Sequence, residues 1–550
     1  MREELRGIGV SPGLAAGPVA RMSPPPSLSA PRPVADPDKE VAVAVRALET
    51  VESGLRERAG AATGEARDIL DAQAMIAADP TLRQHVGARI QEGADAGHAL
   101  RETFDRHRET LAGLGGYFAE RAADLDDLAN RAIAAALGLP IPGVPSPGRP
   151  FILVADDLAP ADTAALDPSS VLALVTERGG PTSHTAILAR SLGLPAVVGC
   201  AGVLRVSDGV VVTVDGTTGH VRAGVGEDEV ARARAVGERA RLAGGRGPGR
   251  TSDGHRVDLM VNIGSTADLA GVDLSDVAGV GLFRTEFLFL GRHDAPGLDE
   301  QVRAYAEIFR LFERGTVVVR TLDAGADKPL PFLGLPEEPN PALGVRGLRV
   351  ARRRPEILDT QLEAIALAAA ETSAEVWVMA PMVSTTVEAV GFVARARGFG
   401  LSTAGVMIEV PAAALRAGRF LDVVDFLSIG TNDLSQYTLA ADRQAGDLAD
   451  LLDSWQPALL QLIAGCAQAG KDSGRSVGVC GEAAADPLLA PVLAGLGITK
   501  LSMSPRSLPA VRASLAERSL AECEAIAGRA LDAADAAEAR AAVLAETTGS

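Results

Sequence analysis

Apolar, β-branched runs recur along the second half of the chain and alternate with stretches of helical spacing. We predict that eight of these runs form strands, namely Val257–Ile263, Gly279–Phe283, Thr316–Arg320, Leu343–Arg346, Val376–Pro381, Gly405–Glu409, Phe426–Gly430 and Val477–Gly481. Eight strand–helix units in about 250 residues are typical of a (β/α)8 barrel. A further run, Lys500–Met503, is then either an extra strand or the sign of a misplaced boundary.

The pattern changes to helical spacing between Asp36 and Leu137. An apolar stripe, as expected of a helix that packs on one face, runs through Val41, Val45, Leu48, Val51 and Leu55. Asp36 and Asp79 are each followed by proline, which is a residue order that starts many helices. The sequence therefore predicts a helical bundle over residues 36–137. It contains no obvious catalytic cluster, so we expect it to dock a partner.

Short apolar runs and helical segments alternate again in residues 138–225, which together with residues 1–35 predict a small α/β domain. Inside it, the buried strand Val171–Val175 leads through a Gly-Gly turn into a helix that starts near His184. The free N–H groups and the positive dipole end of a helix stabilise a phosphoryl group, so His184 is a candidate phosphoryl acceptor. Taken alone, a histidine at this position is more often a capping residue.

A charged helix over Gly226–Leu242 and a glycine-rich joint, Gly244–Gly249, follow this domain. Such a tether predicts that the histidine-bearing domain swings relative to the rest of the chain. We therefore predict a multidomain α/β protein with four parts. They are the α/β domain over residues 1–35 and 138–225, the inserted bundle over 36–137, the linker over 226–250 and the barrel over 251–550.

Composition narrows the class of protein further. The chain of 550 residues is 47% hydrophobic, and its four cysteines lack the Cys-x-x-Cys spacing of zinc sites and redox motifs. A net charge of −18 argues against a nucleic-acid partner, because phosphate binding needs a basic surface. The chain has no apolar run as long as a membrane span, and its first residues lack the order of a signal peptide. We expect a cytoplasmic, globular protein.

The polar residues at the ends of the predicted barrel strands suggest what the barrel binds. They are Arg284, Arg320, Arg346, Glu409, Asn432, Asp433 and Cys480. In parallel barrels such residues meet at one face, where arginines bind phosphate or carboxylate groups and paired carboxylates hold Mg²⁺. Taken singly, each has a structural explanation, such as an Arg284–Glu286 ion pair or an Asx turn at Asn432. Together they predict a site for a small phosphorylated acid with Mg²⁺.

A family resemblance is carried by stretches spread over the whole chain: Ser11–Gly13, Glu120–Asp124, Gly179–Gly199, Gly281–Phe289, Arg320–Asp323, Asn340–Arg346 and Ser428–Gln436. On these residues the chain resembles the phosphoenolpyruvate-protein phosphotransferases, enzyme I of the bacterial sugar phosphotransferase system. The histidine and barrel motifs alone are shared with pyruvate phosphate dikinases and phosphoenolpyruvate synthases. The helical bundle, in place of an ATP-binding domain, is what favours enzyme I.

The resemblance implies a reaction and a role for each candidate residue. His184 would take the phosphoryl group of phosphoenolpyruvate on Nε2 and pass it to a histidine of the phosphocarrier protein HPr, with release of pyruvate. The family also implies a homodimer formed through the barrel. The implied roles are a substrate clamp of Arg284, Arg320, Arg346, Asn432, Asp433 and Arg443, the Mg²⁺ ligands Glu409 and Asp433, and Cys480 as the acid that protonates enolpyruvate.

Some positions depart from the family pattern. Pro181 stands where many relatives carry arginine, Glu177 where aspartate is usual, and Gln73 where histidine is common.

The alternative to enzyme I is a phosphoenolpyruvate synthase-like or pyruvate phosphate dikinase-like protein that lacks its nucleotide domain. A regulatory protein that binds phosphoenolpyruvate without turnover would need neither His184 nor Cys480.

Overall fold

The computed structural model of the chain contains two compact units, which divide near residue 235. It describes residues 3–11, 13–23, 26–61, 73–114, 122–145, 147–158, 166, 170–180, 185–186, 189, 193–233, 235, 247–269, 272–290, 292, 294–325, 330–336, 338–442 and 446–547. His184 and Arg443 lie outside these residues, as does the part of the predicted joint before Gly247.

A sheet of eight described strands forms the centre of the first unit. The strands are β1 (Glu3–Arg6), β2 (Ile8–Ser11), β3 (Leu14–Arg21), β4 (Phe151–Ala155), β5 (Val171–Thr176), β6 (Ala196–Val198), β7 (Val211–Asp215) and β8 (His220–Ala223). They lie side by side in the order β1-β8-β7-β3-β4-β5-β6-β2, with parallel pairing from β3 to β6. Phe151 and Leu153 belong to one apolar core and Ile152 and Val154 to another, so the sheet is buried on both faces.

The described helices between β3 and β4 form a bundle, as the apolar stripe predicts. Its helices span Pro37–Ala61, Pro80–Gln91, Ala96–Leu114 and Ala122–Ala136, and residues 73–78 are also helical. Leucine, valine and alanine side chains build their shared core, among them Leu48, Leu82 and Leu128. Asp79 caps a helix as predicted, because its Oδ1 accepts a 2.8 Å hydrogen bond from the Thr81 N–H.

The predicted strand before His184 is β5, which extends one residue further than expected. Thr185, Ala186 and Ala189 are helical, and the two alanines are buried in the core on one face of the sheet. The Thr185 hydroxyl donates a 3.1 Å hydrogen bond to Asp157 Oδ1, just beyond β4. Apolar packing therefore fixes Ala186 and Ala189 to the sheet, and this hydrogen bond ties Thr185 to the residues after β4.

The second unit is a closed barrel of eight parallel strands, the fold that the strand–helix repeat predicts. A short strand, β9 (Gly249–Arg250), precedes the barrel and pairs antiparallel with its first strand. The barrel strands are β10 (Arg256–Ile263), β11 (Gly279–Arg284), β12 (Thr316–Arg320), β13 (Glu375–Ala380), β14 (Thr403–Ile408), β15 (Phe426–Ile429), β16 (Ser476–Val479) and β17 (Lys500–Met503). Both β11 and β17 pair with β10, and this closes the cylinder.

Helices connect the barrel strands and extend the chain beyond them. They span Leu298–Leu311, Pro355–Ala370, Thr386–Gly398, Pro411–Ala414, Ala417–Leu421, Thr431–Leu439, Pro457–Ser473, Ala490–Gly495, Leu508–Ala516, Leu520–Asp532 and Ala536–Thr547. Across the described parts of the chain, no helix has both the length and the apolar character needed to span a membrane.

One predicted strand, Leu343–Arg346, is wrong. Pro341–Leu343 and Gly347–Arg352 form 3-10 turns, and Arg346 lies between them. Gly347 has a φ of 55°, a left-handed conformation that favours glycine and interrupts a strand. The eighth barrel strand is instead Lys500–Met503, whose place the sequence leaves open.

Alternate residues of the barrel strands point inward and fill the barrel. Val318 belongs to the inner cluster, whereas Val317 and Val319 on either side of it belong to the core between strands and helices. The full inner cluster consists of Leu282, Val318, Met379, Met407, Phe426 and Cys480. Because a filled barrel leaves no channel, a ligand binds at its end.

Replacing Asp79 tests this account of the bundle. Asp79→Ala removes the acceptor for the Thr81 N–H and should weaken the helix Pro80–Gln91 by about 1 kcal/mol. Native-state hydrogen exchange of the Val86 and Ile90 amides should then become about fivefold faster. Asp79→Asn keeps a capping oxygen and should exchange like the wild-type protein. Equal acceleration in both variants would contradict the cap.

Candidate active site

The strand ends place most of the candidate residues at one rim of the barrel, which we call the carboxyl rim. Arg284 and Arg320 are the last residues of β11 and β12, and Glu409 directly follows β14. Asp433 lies in the first turn of the helix after β15, and Cys480 directly follows β16. All these strands run parallel, so their carboxyl ends share one face of the barrel.

Arg320 is buried at this rim, with 7% of its surface exposed. Its Nη2 lies 2.5 Å from Glu286 Oε1, and its Nη1 lies 3.1 Å from Asp323 Oδ2. Glu409 Oε1 is 4.0 Å from the same Nη1. The Nε of Arg320 has no hydrogen-bond partner among the described residues. A buried N–H needs an acceptor, and an anionic ligand would supply one.

Arg346 reaches the same rim although it does not end a strand. Its Nη1 lies 3.0 Å from Asp433 Oδ1, and its Nη2 lies 3.3 Å from Asp323 Oδ2. A Cβ on Gly325 would lie 2.3 Å from Arg346 Cβ, so the close approach of these two segments requires glycine. Asp323 therefore bridges Arg320 and Arg346.

Buried carboxylates meet between the two arginines. Asp323, Glu409 and Asp433 each offer an oxygen within 4.8 Å of the others. Asp323 is not among the site residues predicted from the sequence. Two features of the sequence point to it. It lies three residues beyond the strand end at Arg320, and it belongs to Arg320–Asp323, one of the stretches that carry the family resemblance. Carboxylate oxygens at this spacing suit a hard divalent cation.

Glu409 is held in place by backbone beyond β13. Its Oε2 accepts a 2.7 Å hydrogen bond from the Met382 N–H. Met382 has a φ of 56°, a left-handed conformation that is unfavourable for a residue with a side chain. Such strain persists where the surrounding contacts enforce it. Here the left-handed backbone directs the Met382 N–H at the buried side chain of Glu409.

Cys480 and Asn432 come from neighbouring strand ends. Cys480 is 3% exposed, and its Sγ donates to the Ile429 carbonyl at 3.5 Å. Burial raises the pKa of the Cys480 thiol to about 11. Asn432 is exposed, and its Oδ1 accepts a 3.0 Å hydrogen bond from the Glu482 N–H. This contact joins the segment after β15 to the segment after β16.

Comparison with known proteins is consistent with this geometry. Models of PEP-utilising enzymes match the chain in three parts: the PEP-binding domain over residues 244–520, the mobile domain over 147–219 and the N-terminal domain over 6–121. Over the full length of both chains, the protein is 52% identical to the phosphoenolpyruvate-protein phosphotransferase of Streptomyces coelicolor. The chain belongs to the phosphoenolpyruvate-protein phosphotransferases.

Other relatives are similar over nearly the whole chain. The phosphoenolpyruvate-protein phosphotransferase of Bacillus subtilis is 38% identical, over 95% of this chain and 96% of that protein. A multiphosphoryl transfer protein of Xanthomonas campestris is 39% identical, over 97% of this chain and 66% of that protein. As a phosphoenolpyruvate-protein phosphotransferase the chain is an enzyme, and the family assignment made from its motifs is confirmed.

Burial and charge set the ionisation of groups at the rim of this phosphotransferase. Burial, together with two neighbouring carboxylates, raises the pKa of Glu409 to about 8. Burial disfavours the charged forms of Arg320 and Arg346, but the carboxylates around them outweigh it and raise both pKa values. Burial, followed by repulsion from Arg320, lowers the pKa of Arg284. The two bridged arginines therefore stay cationic.

Two of the three residues that depart from the family pattern, Glu177 and Gln73, lie in the first unit. Glu177 Oε2 accepts a 3.1 Å hydrogen bond from the Leu204 N–H within the first unit. Gln73 is buried in the bundle, with 2% of its surface exposed. Pro181, like His184, lies outside the described residues.

Replacing Arg346 tests how much its ion pairs with Asp323 and Asp433 contribute to the stability of the barrel unit. Arg346→Met keeps the length of the side chain but leaves Asp323 and Asp433 without this buried partner, which should cost about 3–5 kcal/mol of unfolding free energy. The two tryptophans of the chain, Trp377 and Trp455, both lie in the barrel unit, so their fluorescence in urea measures this loss.

Arg352→Met is the matched control for this measurement. Arg352 pairs with Glu388, but its side chain is 68% exposed. Losing a surface pair of this kind should cost less than about 1 kcal/mol. Equal losses in the two variants would contradict the argument from burial.

Proposed function

We propose that this enzyme transfers the phosphoryl group of phosphoenolpyruvate to its own His184 and then to a histidine of the phosphocarrier protein HPr, releasing pyruvate. The reaction would be the first step of a sugar phosphotransferase system, carried out in the cytoplasm by a homodimer. The observation that carries the proposal is the set of buried arginines and carboxylates at the rim of a barrel that matches a PEP-binding domain.

The rim suits the charge of the substrate. Phosphoenolpyruvate carries a phosphate and a carboxylate on the same carbon atom, and a planar guanidinium can donate two parallel hydrogen bonds to either group. Arg284 and Arg320 end neighbouring strands and are aligned in register. We assign the substrate clamp to Arg284, Arg320, Arg346, Asn432, Asp433 and Arg443.

The carboxylates at the rim suit Mg²⁺, because this ion prefers oxygen ligands. Asp323, Glu409 and Asp433 are buried oxygen donors that lie close together. Burial, and after it the crowding of these negative charges, raises the pKa of Glu409, and a cation among the carboxylates would counteract both effects. We assign Glu409 and Asp433 as the ligands. When bound, Mg²⁺ would neutralise charge on the phosphoryl group during transfer.

In the chemical step the bond from phosphorus to the enol oxygen breaks, and a bond from phosphorus to His184 Nε2 forms. The enolate that remains takes a proton at its methylene carbon and becomes pyruvate. Cys480 suits this role, because its thiol is buried at the rim and its pKa of about 11 keeps it protonated at neutral pH. The thiolate then regains a proton from water.

The bundle favours a protein acceptor over a nucleotide donor. Residues 36–137 contain no G-x-x-x-x-G-K-[ST] phosphate loop of the kind that binds ATP. The PEP-utilising N-terminal domain model matches residues 6–121, which include most of the bundle. We therefore propose that HPr docks there and receives the phosphoryl group from His184.

A labelling experiment tests the proposal. Wild-type protein given radiolabelled phosphoenolpyruvate and Mg²⁺, without ATP, should acquire acid-labile label and pass it to HPr. His184→Ala should acquire none, because the phosphoryl acceptor is missing, whereas His220→Ala in the same unit should behave like the wild type. A requirement for ATP, or label that survives His184→Ala, would contradict the proposal.

Cys480→Ser tests the proton donor. A hydroxyl is a much weaker acid than a thiol, so pyruvate formation should slow by about 10²–10⁴-fold. Loading of His184 from phosphorylated HPr should be unchanged. Because the pKa of Cys480 is raised to about 11, this thiol should cause no alkaline loss of pyruvate formation below about pH 10. Cys466→Ser, at an equally buried thiol, should leave both pyruvate formation and loading from phosphorylated HPr at the wild-type rate. If Cys466→Ser slowed pyruvate formation as much as Cys480→Ser, the assignment of Cys480 as the proton donor would lose its support.

A further inference from the structure

A chain of hydrogen bonds lies buried behind the segment that joins Arg320 to Asp323. It comes from two helices and from the turn after β11, and it consists of Thr285, Gln301, Tyr305 and Gln361, each with 2% or less of its surface exposed. Polar groups are costly to bury unless their donors and acceptors are paired, so such a network fixes the geometry of the groups it contacts.

Gln361 is the centre of this network. Its Oε1 accepts a 2.8 Å hydrogen bond from the Leu322 N–H. Its Nε2 donates to Thr285 Oγ1 at 3.0 Å and to the Tyr305 hydroxyl at 3.1 Å. The Leu322 N–H can only donate, and this determines which end of the amide faces it. Gln361 therefore uses its oxygen and both of its N–H groups at the same time.

The network reaches Arg320 by a second route. The Thr285 hydroxyl donates a 2.8 Å hydrogen bond to the Arg320 carbonyl. Thr285 thus holds the backbone of Arg320, while Gln361 holds both Thr285 and the backbone of Leu322. The short segment fixed in this way carries the Arg320 guanidinium at one end and the Asp323 carboxylate at the other.

We propose that Gln361 is a positioning residue for the phosphoenolpyruvate site, acting through Leu322 and Thr285 on Arg320 and Asp323. The inference rests on the proposed function, because it takes this segment to contact the substrate. A shift of about 1 Å in a positioned group can lower a rate by about 10²-fold. Since Asp323 bridges the two buried arginines, a displaced segment would disturb both of them.

The test compares glutamine-to-methionine substitutions at two places in the network. Gln361→Met removes the bonds to the segment, whereas Gln301→Met removes only bonds to Tyr305 and to the Pro296 carbonyl. Both glutamines are buried, so both variants lose polar contacts in the core. Gln361→Met should lower kcat/KM for loading from phosphoenolpyruvate by about 10-fold or more. Gln301→Met should stay close to the wild-type value.

Loading of His184 from phosphorylated HPr separates positioning from damage to the fold, because this reaction does not use the barrel site. It should proceed at the wild-type rate in both variants. A second pair is Thr285→Val, which removes the hydroxyl and should slow loading from phosphoenolpyruvate, and Thr285→Ser, which keeps the hydroxyl and should restore it. This pair carries the test if Gln361→Met does not fold.

Two results would overturn the inference. One is wild-type loading from phosphoenolpyruvate in both Gln361→Met and Thr285→Val, and the other is an equal loss of both loading reactions. If the wild-type protein itself took no phosphoryl group from phosphoenolpyruvate, the proposed function would fall, and this inference with it.

Discussion

The pairing of buried charges at the carboxyl rim is the constraint on which the rest of the site depends. Asp323 contacts both Arg320 and Arg346, and Glu286 and Asp433 complete the pairs. A guanidinium buried without a carboxylate partner is strongly destabilising. Each arginine therefore depends on its carboxylates to occupy the rim, and the shared Asp323 holds the two cations close to each other. The rim therefore presents two fixed positive charges on either side of one carboxylate.

The backbone is adapted to this arrangement of charges. The left-handed Met382 directs its N–H at Glu409, and Gly325 lets the segments that carry Asp323 and Arg346 approach each other. The hydrogen bond that Gln361 accepts from the Leu322 N–H fixes the backbone of the segment from Arg320 to Asp323. These features hold charged groups in place before a ligand arrives, which is how preorganised sites lower the cost of binding.

The sequence predicts the barrel and most of its rim because β-branched runs mark the strands and parallel strands deliver their ends to one face. Arg346 is predicted at the rim for the wrong reason, since it arrives from a turn rather than from a strand. The local pattern of Leu343–Arg346 resembles a strand, and only its flanking Pro341 and Gly347 indicate otherwise.

Other features could not be predicted because they depend on contacts between distant parts of the chain. The pairing of Arg346 with Asp433 joins residues 87 positions apart, and Gln361 meets Leu322 across 39 positions. A buried glutamine in the middle of a helix has no local signal that distinguishes a positioning role from ordinary packing. The bridging role of Asp323 is equally hidden, because it requires both arginines to be in place.

We propose above that phosphoenolpyruvate binds at the carboxyl rim. Hydrogen exchange of the His184→Ala protein, which cannot accept the phosphoryl group, tests it most directly when measured with and without phosphoenolpyruvate and Mg²⁺. We expect slower exchange in peptides that cover residues 320–323, 346–350, 409–413 and 431–436, with the bundle helices unchanged. Protection confined to the bundle, or no protection at saturating phosphoenolpyruvate, would contradict it.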